Sequence, residues 1–278
     1  MRIASVGHAV FAVSLITLGI LGLLTGDFTQ VLQAVPKGVP GRAILPYVRV
    51  VILLACGIGV LWQPIAAPAA RVLLAYLLLW TLLVKARFIF IAPTQEVVYQ
   101  NLGESLVLVA GAWVLFAWFA TDWDRRHLGF ATGDRGVRIA SVLYGIAMIT
   151  FGLSHFAYLN NTAGLVPAWL PWHAGWAYFT GATYLAAAVA ILIGVWARLA
   201  AALSTAQMGG FTLLVWVPTW LAGTLSTSQR GEFLGSWMLT AAAWVVADSY
   251  LGTPWLATAL NGAQRRRRPP IFDLRFRP

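Results

Sequence analysis

The ionisable side chains that interrupt otherwise apolar stretches are the ones able to do chemistry here. His155 lies near the end of an apolar run that starts at Arg138. At 1.5 Å per helical residue it sits about 25 Å beyond that arginine, close to the far face of a bilayer. An imidazole exchanges protons near neutral pH. Glu232, with Arg230 just before it, supplies a carboxylate and a guanidinium at a similar expected depth. A His–Glu–Arg group of this kind would hold the imidazole and shift its proton affinity. The simpler role of a lone interfacial His is to bond a carbonyl, and both readings stay open.

Lys85 and Arg87 fall about 20 and 24 Å beyond Arg71 by helical rise, and Phe88-Ile-Phe-Ile-Ala92 follows them. Pairing of both cations with Glu104 across a short loop is the expected arrangement, a structural ion pair, with anion binding as the alternative. Glu104 and Glu232 each read as opening a last helix. There an acid complements the helix dipole by about 0.3–1 kcal/mol. His8 and Asp248 fall at the near ends of the first and last apolar segments.

Composition says what must position these groups. The chain is 60% hydrophobic and 10% charged, against about 25% charged in soluble domains. Apolar runs of about 20 residues recur, the length that crosses a hydrocarbon core. A multi-pass membrane protein follows. The net charge of +10 does not indicate nucleic acid, because the arginines sit at segment ends and in a tail, as topology requires. A single cysteine, Cys56, excludes an internal disulfide and any C-x-x-C site for haem, an iron–sulfur cluster or structural zinc.

Arg2-Ile-Ala-Ser-Val6 recurs as Arg138-Ile-Ala-Ser-Val142, and further landmarks follow in order. Leu18-Gly19 matches Phe151-Gly152, Ala70-Arg71 matches Ala197-Arg198, Gly103-Glu104 matches Gly231-Glu232, and Trp113 matches Trp244. The chain is therefore a duplicated module of about 130 residues. Residues 1–121 form the first module, 122–137 a linker, 138–252 the second module and 253–278 a basic tail. Each module predicts four helices, so the expected fold is an all-α integral membrane protein. Its eight transmembrane helices would form two parallel-repeat four-helix bundles, side by side. Arg2, Arg71, Arg125, Arg126, Arg135, Arg138, Arg198 and the tail arginines share one side, which places both termini in the cytoplasm. Arg265, Arg266, Arg267 and Arg268 are expected to dock the tail on anionic lipid or on a soluble partner.

Phe151-Gly-Leu-Ser-His155-Phe156, Leu165-Val-Pro-Ala-Trp-Leu-Pro171 and Trp176-Ala-Tyr-Phe-Thr-Gly181 together resemble the DoxX family of small bacterial membrane proteins. The match covers the second module; the first module joins it through the repeat and carries Gly22 where the second has His155. The resemblance implies a four-helix module in the bacterial cytoplasmic membrane. It also implies association with a redox system, as in thiosulfate:quinone oxidoreductase. Composition and resemblance together suggest a flat aromatic slot for a quinone, with Trp172 and Trp176 near it and His155 or His173 donating to a carbonyl oxygen. Electrons would then come from a cofactor-bearing soluble redox protein. A non-enzymatic membrane anchor for a soluble partner and a small-molecule transporter are the alternatives.

Overall fold

The computed structural model describes residues 3–25 and 44–258, and every regular element among them is helical. In chain order, the first half holds α1 (Val6–Thr25), α2 (Leu45–Leu61), α3 (Ala66–Trp80), α4 (Phe88–Ile91) and α5 (Glu96–Phe119). A connecting helix, α6 (Asp122–His127), leads to α7 (Gly133–Ala157), α8 (Leu159–Gly164), α9 (His173–Ile193), α10 (Ala197–Phe211), α11 (Val217–Leu221) and α12 (Thr227–Asp248).

Among the described residues six helices are long and apolar enough to cross a membrane: Val6–Leu24, Gln63–Ile91, Glu96–Phe119, Gly133–Ala157, His173–Ile193 and Ala197–Leu221. This is the build of a multi-pass membrane protein. Two of the eight expected segments stand apart. α2 is apolar but has 17 residues, and α12 has 22 but begins with polar residues. A capping box starts α12: the Gln229 amide donates to Ser226 Oγ at 3.3 Å, and the Ser226 amide donates back to Gln229 Oε1 at 2.9 Å. Capping satisfies the orphan amides of a first turn whatever its polarity. Likewise α5 starts at Glu96, ahead of its apolar run. Glu104 therefore lies in the body of that helix, and the dipole role expected of it passes to Glu96.

Within each half the long helices pack in sequence, α1–α2–α3–α5 and α7–α9–α10–α12. The halves are not two self-contained bundles side by side. α1 packs along α12, α7 packs along α5, and α5 and α12 pack on each other at the centre. Gly111 of α5 makes that central approach: a Cβ there would lie 3.0 Å from the Ala242 Cβ of α12. α5, with neighbours on several sides, is the most deeply buried of the six candidate spans.

Several packing details recur in the two halves. A Cβ on Gly19 would meet Leu54, and one on Gly152 would meet Leu185, at 2.6 Å in both cases. α3 and α10 each end in a π-helical turn, Thr81-Leu-Leu-Val-Lys85 and Thr212-Leu-Leu-Val-Trp216. Each half also ties its third long helix to the segment after its last helix through an arginine. Arg71 pairs with Asp124 at 2.7 Å and lies 4.9 Å from the Trp123 ring centre. Arg198 donates to the Thr253 carbonyl at 2.6 Å and lies 4.0 Å from the Trp255 ring centre. The expected linker is thus partly helical, with α6 capped by Thr121 and Asp124.

Candidate functional site

α7 delivers His155 within a turn of its C-terminal end, where α9 passes close. Gly181 permits the approach, since a Cβ there would lie 2.9 Å from the His155 Cβ. The half-buried imidazole points its Nδ1 at the Phe151 carbonyl, 2.7 Å away. A carbonyl only accepts, so Nδ1 carries a hydrogen. In the neutral ring Nε2 is then an acceptor, and it makes no hydrogen bond to a described residue. Tyr184 meets the ring edge-on with centroids 5.4 Å apart. Phe156 and Tyr178 lie nearby in a tilted pair with centroids 5.9 Å apart, and Trp176 meets Phe179 at 5.9 Å. The result is one polar nitrogen among aromatic surfaces, many of them facing outward.

The other expected members of this site lie elsewhere. His173 opens α9, about two turns before Gly181. Trp172 precedes it in the left-handed region at φ 72 and is exposed. Glu232 and Arg230 are exposed on α12. Among the described residues no hydrogen bond or ion pair joins either of them to His155, which faces α9.

Lys85 and Glu104 are both buried, at 5% and 8% exposure. The π-helical turn of α3 presents Lys85 toward α5, and the two charges attract one another. They do not form a direct ion pair; among the described residues those are Arg71–Asp124 and Arg125–Asp122. Arg87 is exposed, with its guanidinium 5.1 Å from the Phe88 ring centre, so it does not join Glu104.

Glu96 was not singled out from the sequence, yet it clasps α5 to α7. Ser154 donates to its Oε1, and the neighbouring Val97 amide donates to the Tyr158 hydroxyl at 3.3 Å. An acid three residues after a proline, at the head of a helix, was the available signal. At the opposite end of the molecule His8 and Asp248 do not pair. The Ala4 amide donates to His8 Nδ1 at 3.1 Å, so Nε2 carries the hydrogen directed at the Val60 carbonyl, 3.0 Å away. Asp248 instead accepts the Gly7 amide of α1 at 2.8 Å.

Among the described residues no three His, Cys, Asp or Glu side chains gather as a metal site. Arg265–Arg268 lie outside the described residues. The chain matches no protein-family model, no curated protein and no solved structure.

Proposed function

We propose that this chain is a membrane subunit of a redox system, DoxX-like in its second half, that holds a quinone headgroup at His155. The observation that carries the reading is the imidazole itself. Its Nδ1 is committed to Phe151, its Nε2 is left for a ligand, and Tyr184, Phe156 and Tyr178 stand close by. Nε2 of the neutral ring suits the hydroxyl of a quinol, and the protonated ring suits a quinone carbonyl. Flat aromatic faces suit the ring between those groups. The protein would position the headgroup and move its proton, while electrons come from a cofactor-bearing soluble partner. In this reading all eight long helices cross the membrane, with the Arg71 end in the cytoplasm.

The test is quinone content and binding on protein purified in mild detergent, for wild type and His155→Ala. The expected result is stoichiometric quinone in the wild type and its loss in a variant that keeps its helix content and elution volume. Quinone in neither protein would overturn the reading.

A further inference from the structure

The turn of α7 that carries His155 is held by both halves. From the second half, α9 brings Gly181 and Tyr184 against the imidazole. From the first half comes the head of α5. Ser154, the residue before His155, is buried and shares its one hydroxyl hydrogen between the Thr150 carbonyl at 2.8 Å and Glu96 Oε1. Three residues beyond His155, the Tyr158 hydroxyl accepts the Val97 amide at 3.3 Å. About one turn before Ser154, Gly103 of α5 leaves room for Thr150. The residues flanking His155 are thus tied to α5, while the imidazole faces α9.

The two halves differ here in a complementary way. Three residues beyond Gly19 and Gly152, whose packing matches, stand Gly22 in the first half and His155 in the second. Conversely α5 has Glu96 in its first turn, and α12 has no acid there. One half carries the imidazole, and the acid that reaches its helix belongs to the other. Position explains what such a tie does. His155 is two residues from the end of α7 at Ala157, and terminal turns open more readily than the body of a helix. Opening of that turn would break the Nδ1 bond to the Phe151 carbonyl and leave Nε2 without a fixed direction. A hydrogen bond to an acid on a neighbouring helix opposes the opening.

We propose that Glu96 is a positioning residue for His155. Through Ser154 it keeps the last turn of α7 closed, so that Nδ1 stays on Phe151 and Nε2 stays directed at a ligand. The first half thereby serves the site of the second. Glu96 itself touches no substrate. The role rests on the reading of His155 as the ligand-binding group, but its test requires no quinone.

The probe is diethylpyrocarbonate, which acylates the free nitrogen of a neutral imidazole. Full-length protein in mild detergent at neutral pH is treated, and the rate at each histidine is followed by mass spectrometry. In Glu96→Ala the rate at His155 is expected to rise about fivefold, the effect of one lost hydrogen bond on a local opening. His127 and His173 should keep their wild-type rates. Glu96→Gln keeps an acceptor for the Ser154 hydroxyl and should bring His155 back to the wild-type rate, a rescue that lost packing alone would not give. Ser154→Ala removes the same bond from the other side and should match Glu96→Ala, even where that variant fails to fold. A wild-type rate at His155 in the alanine variants would overturn the proposal. So would a rate in Glu96→Gln as high as in Glu96→Ala. Quinone binding is measured on the same proteins: its absence from all of them would overturn the quinone reading, and the labelling rates would still decide the role of Glu96.

Discussion

Asp124 shows how much one side chain outside the spans can hold. It is fully buried, accepts from both the amide and the hydroxyl of Thr121, and pairs with Arg71. Burial works against its charge, but the hydrogen bonds from Thr121 and the guanidinium of Arg71 outweigh that and hold the carboxyl below its ordinary 3.8. A carboxylate shifted down stabilises the fold fully above the ordinary value, and the contribution disappears as pH falls through the lowered one. Asp124→Asn removes both the ion pair and the cap and is expected to cost about 2 kcal/mol, kept modest because Arg71 is partly exposed. Thermal unfolding in detergent at neutral pH would show this as a lowered midpoint. The gap between variant and wild type should close in strong acid.

At the scale of elements, the two π-helical turns set equivalent chain positions to different work. Lys85 and Trp216 both end the sequence Thr-Leu-Leu-Val and both are buried. One brings a charge to the central helices, while the other fills space against Phe211 at a centroid distance of 6.0 Å. Trp216→Ala should therefore act as a large-to-small core change, lowering stability by about 3–5 kcal/mol. The central crossing fails in the other direction. Gly111→Leu forces a side chain into Ala242 and is expected to cost about 1–3 kcal/mol or more. Its signature would be a loss of monodisperse protein on size exclusion, with Gly111→Ala milder. The Arg–Trp contacts that repeat in the two halves are weaker ties, since a cation over an exposed ring contributes about 0.5–1 kcal/mol.

For the whole molecule, the exchange of neighbours between halves has a direct consequence. α1 lies along α12 and α7 along α5, so each half without the other leaves two long helices with one packing face uncovered. Expressed as two chains divided in the segment between Leu128 and Gly133, the halves are expected to co-purify as one complex. Either half alone should give aggregated or unstable protein. Two independent four-helix bundles would instead each purify alone, which separates the arrangements in one experiment.

The amino-acid sequence alone determined the helical class and the membrane setting, and it showed landmarks that recur in the two halves. Apolar runs of spanning length admit few other structures in lipid, and Arg-Ile-Ala-Ser-Val appears twice. It also marked His155, Lys85 and Glu104, because ionisable groups in apolar runs need a reason to persist. It did not determine which of them meet. Depth along a helix can be counted at 1.5 Å per residue, but the direction a residue faces depends on where the helix starts, on π-helical turns and on which helices become neighbours. Glu104 passed from a first turn to a buried position because α5 begins at Glu96. α12 came to pack on α5, so Glu232 stands on the helix beside the one that carries Glu104. Those neighbours are set by close contacts such as Gly111 on Ala242, made between residues far apart in the chain, and only the tertiary structure decided them.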